Sequence, residues 1–293
     1  MHQVVCFGEI LWDNFPSGKM AGGAPMNVAL HLHKQGINSC LISSVGKDQN
    51  GKDLIAFLAK NGLSTEFIQQ HKTLPTGIVE VELDENKQAT YTIVKPVAWD
   101  EIVYQENLTT LSNTADALVF GSLACRSEIS YHTLLKLTET SKITIFDMNL
   151  RPPHFEMSLL KNLINKSSVL KVNEHELEYL TIHLSIKTAD IESQLRKLSN
   201  ITQTSTICVT LGDKGACIFH EGEFYKHPGF SIKVADTVGA GDSFLAAFIY
   251  GYLQNAPMQQ TLSRACAAGA LVASRHGANP DYTLDEITEI TNF

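Results

Sequence analysis

Four residues near the end of the chain, Gly-Ala-Gly-Asp at 239–242, have the composition of an anion-binding turn followed by a carboxylate. An apolar run at 245–249 predicts a helix that begins here. Small residues let backbone N–H groups close around an oxyanion, and the helix N-terminus adds its positive dipole end. Asp242 would lie in the first turn, where it could take a proton from a hydroxyl that attacks a bound phosphate. The alternative is a tight turn with an acidic first-turn residue, because short glycine motifs are common.

A second group of small and polar residues lies near the N-terminus. The segment 21–30 places Gly22, Gly23 and Asn27 at the start of a predicted helix that ends near Gly36. Glycines allow the backbone to approach a small polar ligand, and the Asn27 amide offers both a donor and an acceptor. This loop is therefore a candidate binding site for a polar small molecule.

Asp13 follows a predicted strand at 3–10 and lies in a stretch, 11–18, that has the turn residues of an exposed loop. An Asp in a turn is by default only a turn residue. Open α/β sheets, however, bind ligands just beyond the carboxyl ends of their strands. Asp13 is therefore also a candidate ligand residue.

Polar residues also follow two later strands. Arg151 ends a predicted strand at 144–151 just before two prolines, a position from which a guanidinium could meet phosphate or sugar. Asn173 and Glu176 open a helix after a predicted strand at 169–172, and a capping box alone could explain this pair.

The strand and helix patterns predict a parallel sheet with two departures from it. Alternating runs at 76–83 and 89–94 predict an antiparallel hairpin that projects from the sheet. A strand–turn–strand unit at 206–219 has three small or polar residues around its turn, and by themselves they need be no more than a hairpin turn: Thr210, Gly212 and Gly215.

Composition excludes several classes of protein. The 293 residues are 44% hydrophobic and 18% charged, as in ordinary globular proteins. A net charge of −8 without Lys/Arg clusters argues against a nucleic-acid partner. Six cysteines without a C-x-x-C pair indicate buried thiols in a reducing compartment. With no run of 18 apolar residues and no basic, apolar leader at the start, we expect a cytoplasmic protein.

The nine residues at 236–244 resemble, almost letter for letter, the C-terminal signature of the ribokinase-like family of sugar and nucleoside kinases. The spacing from Asn27 to Gly36 and Gly46 is similar to the N-terminal signature of the same family. The resemblance runs in order from Gly8 to Asn279. It implies one three-layer α/β/α domain over 1–293, with a small β-sheet lid formed mainly by 11–21 and 75–100.

The resemblance also implies roles for individual residues. Asp242 would be the catalytic base, and Gly239, Ala240 and Gly241 the anion hole. Trp99 could cover the apolar face of a sugar, although it could equally be a core residue of the lid. The other implied sugar-binding residues are Asp13, Gly22, Gly23, Asn27 and Arg151. The implied ATP-binding residues are Asn173, Glu176, Thr210, Gly212, Gly215, Gly239, Gly241, Ala273 and His276. Glu176 would assist Mg²⁺ indirectly, and Asp236 and Val238 are candidates for a monovalent cation such as K⁺.

Within this family the chain looks most like the fructokinases, which implies ATP and Mg²⁺ as cofactors, D-fructose as substrate and a homodimer that pairs through the lid. No Walker A motif is present, so the usual P-loop does not form the phosphate site. A 2-keto-3-deoxygluconate kinase shares much of the pattern, including the Asp-x-Asn-x-Arg stretch at 147–151, but needs cations for a carboxylate, and Arg151 and Arg126 are the candidates. Another sugar kinase of the family, or a catalytically silent nucleotide- or sugar-binding regulator, also remains open.

Overall fold

The first strand shows that the main sheet is buried on both faces. Val4 and Cys6 pack into one apolar core, whereas Val5 and Phe7 pack into the other. This alternation follows from the two-residue period of a strand. The computed structural model describes residues 2–15, 18–83 and 89–291.

The strands form two sheets. In chain order their bounds are β1 (Gln3–Phe7), β2 (Leu11–Phe15), β3 (Gly18–Gly22), β4 (Asn38–Gly46), β5 (Ile68–His71), β6 (Gly77–Leu83), β7 (Ala89–Ile93), β8 (Ala117–Gly121), β9 (Thr144–Asp147), β10 (Val169–Asn173), β11 (Thr206–Thr210), β12 (Ala216–His220) and β13 (Glu223–His227). Over the described residues, the large sheet has the order β13-β12-β11-β10-β9-β8-β1-β4-β5 and the small sheet β3-β2-β6-β7. All pairs of the large sheet are parallel except those of β12 with β11 and β13.

Helices cover both faces of the large sheet. One face carries α1 (Ala24–Lys34), α2 (Gln49–Lys60), α8 (Ala240–Leu253), α9 (Met258–Ala273) and α10 (Leu284–Thr291). The other carries α3 (Glu106–Thr114), α4 (Glu128–Thr140), α5 (Met157–Asn165), α6 (Glu174–His183) and α7 (Ile191–Thr202). The predicted three-layer α/β/α architecture is confirmed. No helix in the described ranges is long and apolar enough to cross a membrane.

The small sheet corrects one prediction. Residues 11–15, expected as part of an exposed loop, form β2, which pairs antiparallel with β3 and parallel with β6. Leu11 and Trp12 are buried there, so tertiary pairing overrides the local turn residues. The predicted hairpin is confirmed as the antiparallel pair β6–β7, and its tip at 84–88 lies outside the described residues.

The predicted strand at 144–151 is too long. β9 ends at Asp147, and Asn149 has a positive φ of 37°, which a strand does not accommodate. Residues 148–151 therefore leave the sheet as a loop. Together with the ends of β1, β10 and β11, this loop borders the carboxyl edge of the parallel strands, the edge at which open α/β sheets bind ligands.

Candidate active site

The predicted turn at 239–242 starts a helix, as its composition indicates. Gly239 is the N-cap of α8, with a φ of 77° that favours glycine. A Cβ at Gly239 would lie 2.4 Å from the Ala278 carbonyl oxygen, so the site also requires a residue without a side chain. Asp242 lies in the first turn of α8, as predicted. The turn presents backbone N–H groups at a helix N-terminus, where an anion is stabilised.

The Asp242 carboxylate is held by a residue from the other end of the chain. The Asn27 side-chain amide donates a hydrogen bond of 2.8 Å from Nδ2 to Asp242 Oδ2. Asn27 Oδ1 in turn accepts a hydrogen bond of 2.6 Å from Asn279 Nδ2. The structure thus joins the predicted sugar loop, the predicted base and the C-terminal loop in one hydrogen-bonded chain.

The environment of Asp242 sets its protonation. Although the residue is only partly buried, its pKa is raised to about 6 overall, chiefly by desolvation and also by the charge of Asp147. Lys171, the hydrogen bond from Asn27 and the charge of Arg151 act in the opposite direction. Asp242 is therefore ionised near neutral pH but close enough to titration to exchange a proton, as a general base requires.

This pKa predicts the acid limb of the activity profile. Because the base must be ionised, we expect kcat/KM for sugar to rise with pH and to level off above about pH 6, with a tenfold change per pH unit below that. The measurement is initial rate at limiting sugar over the acid range, with ATP affinity recorded in parallel. A profile that stays flat to about one unit below this pKa would exclude Asp242 as the base.

A buried ion pair lies beside the turn. Lys171 on β10 and Asp147 on β9 are register neighbours, and Lys171 Nζ is 2.9 Å from Asp147 Oδ1, with side chains 7% and 4% exposed. The Lys171 ammonium would be 3.3 Å from a Cβ at Gly241, so it lies directly beneath the anion-binding turn. Burial alone would lower the pKa of Lys171, but the charges of Asp147, Glu176 and Asp242 raise it overall.

Sequence reasoning missed Lys171 and Asp147 as site residues. A signal was present, because Lys171 interrupts an apolar strand, and a lysine in a buried strand requires a charged partner. Asp147 was noted only as part of the stretch that ends at Arg151.

The predicted capping box of α6 is confirmed. Asn173 Oδ1 accepts from the Glu176 N–H at 2.9 Å, and Glu176 Oε2 accepts from the Asn173 N–H at 2.8 Å. Glu176 Oε1 accepts from the Leu150 N–H as well, so the carboxylate joins α6 to the loop after β9. Burial raises the pKa of Glu176.

The predicted sugar-binding residues meet at the end of β1. Gly23 has a φ of 116°, and a Cβ there would lie 2.4 Å from the Glu9 carbonyl oxygen. A Cβ at Gly22 would similarly lie 2.4 Å from Asp13 Oδ2. Burial raises the pKa of Asp13 to about 6, and the charge of Arg151 opposes this shift, so the two side chains are near enough for their charges to interact.

Glu9 is a second carboxyl that sequence reasoning did not assign. It is buried, and Oε2 is without a hydrogen-bond partner among the described residues. Burial raises the pKa of Glu9 to about 7, and the charges of Arg151 and Asp242 also act on it. Glu9 therefore lies near enough to the base for their charges to interact.

Trp99 requires a correction. Its side chain is 0% exposed in the apolar core behind the main sheet, so the ring does not present a face to a sugar. The Arg126 guanidinium stacks over the ring at 4.0 Å and forms an ion pair with Asp100. Trp99 is a core residue, but it belongs to the core of the main sheet and not to the core of the lid that the sequence allowed as the alternative.

The predicted nucleotide-side residues lie on two surfaces. Thr210 ends β11 beside Asn173 of β10, and the exposed Gly212 follows in the turn to β12. Gly215 is buried, and a side chain there would clash with the His227 carbonyl. A glycine is therefore required by the turn between β11 and β12. His276 is exposed, whereas the Ala273 carbonyl accepts hydrogen bonds from the N–H groups of residues 235 and 236.

The Asp236 carboxylate links the segment 236–238, just before the anion-binding turn, to the C-terminal loop by hydrogen bonds. One carboxylate oxygen accepts from the Val238 N–H at 3.0 Å and the other from the Gly277 N–H at 3.1 Å. Each oxygen keeps a lone pair that a cation could use. No group of three or more His, Cys, Asp or Glu side chains is arranged as a metal cage within the part of the chain that the structure describes.

Comparison with known proteins identifies the family. The model of the pfkB family carbohydrate kinases matches residues 3–284. The chain belongs to the pfkB family of carbohydrate kinases. Fructokinase-2 of Solanum lycopersicum is 29% identical over 307 residues, covering 94% of this chain and 92% of that protein.

Two solved kinase structures share the fold. A fructokinase from Xylella fastidiosa with bound ATP superposes with a TM-score of 0.85 at 24% identity, covering 99% of this chain and 98% of the other. The 2-dehydro-3-deoxygluconokinase of Thermotoga maritima gives a TM-score of 0.84 at 20% identity, covering 100% and 98%. These likenesses establish the architecture of this pfkB kinase, which transfers phosphate to a sugar, and leave its sugar to be argued from the cleft.

Proposed function

We propose that this pfkB kinase transfers the γ-phosphoryl group of ATP to the primary hydroxyl at C6 of D-fructose and forms fructose 6-phosphate. The observation that carries the proposal is Asp242, an ionisable carboxylate in the first turn of α8, next to an anion-binding turn and hydrogen-bonded to Asn27 of the sugar loop. Asp242 takes the hydroxyl proton as the oxygen attacks the γ-phosphorus and the bond to ADP breaks. Backbone N–H groups of the turn 239–241 bind the phosphoryl oxygens, and the Ala240 N–H is shared with the Thr237 carbonyl.

The charge of the cleft favours a neutral sugar over a sugar acid. Three carboxyls, Glu9, Asp13 and Asp242, lie within range of the charge of Arg151, which acts on each of them. Arg126, the other candidate for binding a carboxylate, is 2% exposed and committed to Asp100, which is 3% exposed. A 2-keto-3-deoxygluconate kinase would therefore have to bind its substrate carboxylate with Arg151 alone, and this reading remains the second candidate.

Mg²⁺ fits the cleft in an indirect role. Both Glu176 oxygens already accept a backbone N–H, which leaves one lone pair on each for a metal-bound water. Mg²⁺ is commonly bound by one or two carboxylates, several waters and substrate phosphates, so a protein cage is not needed. When bound, Mg²⁺ neutralises charge on the phosphates. K⁺ at Asp236 and Val238 is part of the same proposal.

Assembly and location complete the proposal. The exposed Met20 side chain on β3 supports pairing of two copies through the small sheet, which we regard as the lid over the sugar. Six free, buried cysteines support a reducing compartment such as the cytoplasm.

We expect Asp13→Ala to raise the KM for sugar about 10- to 100-fold, because a hydrogen bond to a charged group contributes about 1.5–3 kcal/mol. The KM for ATP and kcat should change little, since Asp13 is assigned to hydroxyls remote from the transferred phosphoryl. Asn14→Ala is the matched control, because the neighbouring Asn14 lies on the same strand and bonds to Glu80 on the surface. Equal sugar KM values in the two variants would remove Asp13 from the substrate site.

A screen of acceptors tests the function. ADP release is measured with ATP and each of D-fructose, 2-keto-3-deoxygluconate, ribose and adenosine. We expect the highest kcat/KM with D-fructose. Highest turnover of 2-keto-3-deoxygluconate would favour the second candidate, and ATP binding without turnover of any acceptor would favour a silent regulator.

A further inference from the structure

Three side chains on one face of α1 form hydrogen bonds with the C-terminal loop. Asn27, His31 and Lys34 are spaced four and three residues apart, which puts them on one side of the helix. His31 Nε2 is 2.9 Å from the Ala278 carbonyl, and Lys34 Nζ donates to the carbonyls of residues 279 and 280 at 3.0 and 2.8 Å. The loop that carries Asn279 is therefore fixed against the helix that carries Asn27.

His31 forms its hydrogen bonds with the C-terminal loop as a neutral ring. Burial lowers its pKa to about 4, so at neutral pH the ring has one N–H. The Ala278 carbonyl can only accept, which assigns the N–H to Nε2, and Nδ1 then accepts from the Tyr282 hydroxyl at 3.0 Å. Both ring nitrogens hold the segment 278–282.

The direction of the hydrogen-bonded chain follows from the charge on Asp242. An ionised carboxylate only accepts, so Asn27 must present Nδ2 to it and Oδ1 to Asn279. Asn279 then donates from Nδ2. Asn27 is buried, and without this donor its Oδ1 would be left unsatisfied, which favours rotation of the amide away from Asp242.

We propose that Asn279 is a positioning residue for the base: through Asn27 it holds the Asp242 carboxylate in the orientation that accepts the sugar proton. The inference rests on the proposed function and adds a residue that acts on the base through its hydrogen bond to Asn27. It also gives Asn27 a second duty besides binding sugar, so substitutions of Asn27 should affect kcat as well as KM.

The contribution of this chain must be separated from the other charges around Asp242. Those that act on its carboxyl, from the neighbouring strands and loops, are Asp147 on β9, Lys171 on β10, Arg151 after β9 and Glu9 after β1. Among the described residues, none of these four side chains is hydrogen-bonded to Asn279, whose side chain bonds to Asn27. A hydrogen bond donated to a carboxylate stabilises its ionised form, so loss of the Asn27 bond moves the titration of Asp242 to higher pH.

The test compares Asn279→Leu, which has a similar size but no donor, with Asn279→Gln, which keeps one. We expect Asn279→Leu to lower kcat about tenfold and to shift the acid limb of kcat/KM upward by about half a pH unit or more, with the KM for ATP unchanged. Asn279→Gln should recover part of both effects. Lys34→Met is the matched control, because it removes two hydrogen bonds to backbone carbonyls of the same loop, at residues 279 and 280, and keeps the three side chains of the hydrogen-bonded chain.

Two results would overturn the inference: an unshifted acid limb in Asn279→Leu, or equal losses and equal shifts in Lys34→Met. Titration of the Asp242 carboxyl by ¹³C NMR in wild type and Asn279→Leu does not depend on turnover. If no acceptor is phosphorylated by the wild type, the proposed function fails, whereas the NMR titration still decides whether Asn279 controls Asp242.

Discussion

We expect Asp242→Asn to lower kcat for sugar phosphorylation about 10²- to 10⁴-fold, the usual contribution of a positioned general base. The new amide keeps the shape of the carboxyl, and its oxygen can still accept the 2.8 Å hydrogen bond from Asn27. It cannot take the hydroxyl proton at neutral pH. The measurement is kcat by coupled ADP release, with ATP affinity and thermal unfolding recorded on the same preparation.

A matched control is available in another helix. Asp285 also lies in a first helical turn, that of α10, and is exposed. Asp285→Asn removes the same charge from the same kind of position and should leave kcat unchanged. If Asp242→Asn also turned over at nearly the wild-type rate, the segment 239–242 would be only a helix start, and the mechanism would lose its base.

The second large effect concerns stability. We expect Lys171→Met to lower the free energy of unfolding by about 3–5 kcal/mol, because it leaves the buried Asp147 carboxylate without its partner. Adding Asp147→Leu should restore most of the loss, since a buried pair can be replaced by apolar side chains at little cost. Chemical denaturation of the single and double variants measures both values.

A surface pair provides the comparison. Lys19 and Asp53 form an ion pair of 3.2 Å with side chains 41% and 37% exposed. Lys19→Met should cost no more than about 1 kcal/mol, because water screens exposed charges. Similar losses in the free energy of unfolding for Lys171→Met and Lys19→Met would mean that Asp147 does not depend on Lys171 to compensate its buried charge.

The parts of the site that sequence predicts are those that local chemistry determines. The start of α8 follows from small residues before an apolar run, and the capping box of α6 follows from residues three positions apart. In both cases the partners are neighbours in the chain, so their geometry depends little on the rest of the fold.

The contacts that sequence does not predict join distant parts of the chain. Asn27 is separated from Asp242 by 215 positions and from Asn279 by 252. Their meeting depends on how α1, α8 and the C-terminal loop pack, which no local pattern encodes. The local pattern at 11–18 missed the strand β2 for a related reason, because its partner β6 lies more than sixty residues later in the chain, whereas the resemblance implied a small β-sheet that includes 11–21.

Trp99 shows that composition alone does not decide between a ligand face and a core. A tryptophan near a predicted lid suits either environment. The turn Ala98–Glu101 packs against β4 and the segment 123–126, which encloses the ring completely. Only this tertiary packing distinguishes the two possibilities.

The most direct test of the account is the product formed from ATP, Mg²⁺ and D-fructose, followed by ³¹P NMR with wild type and Asp242→Asn. The account predicts one new phosphomonoester, on the primary hydroxyl at C6, formed in step with ADP and suppressed in the variant. Bound ATP without a sugar phosphate from any acceptor, or a product that forms equally fast without the Asp242 carboxylate, would contradict it.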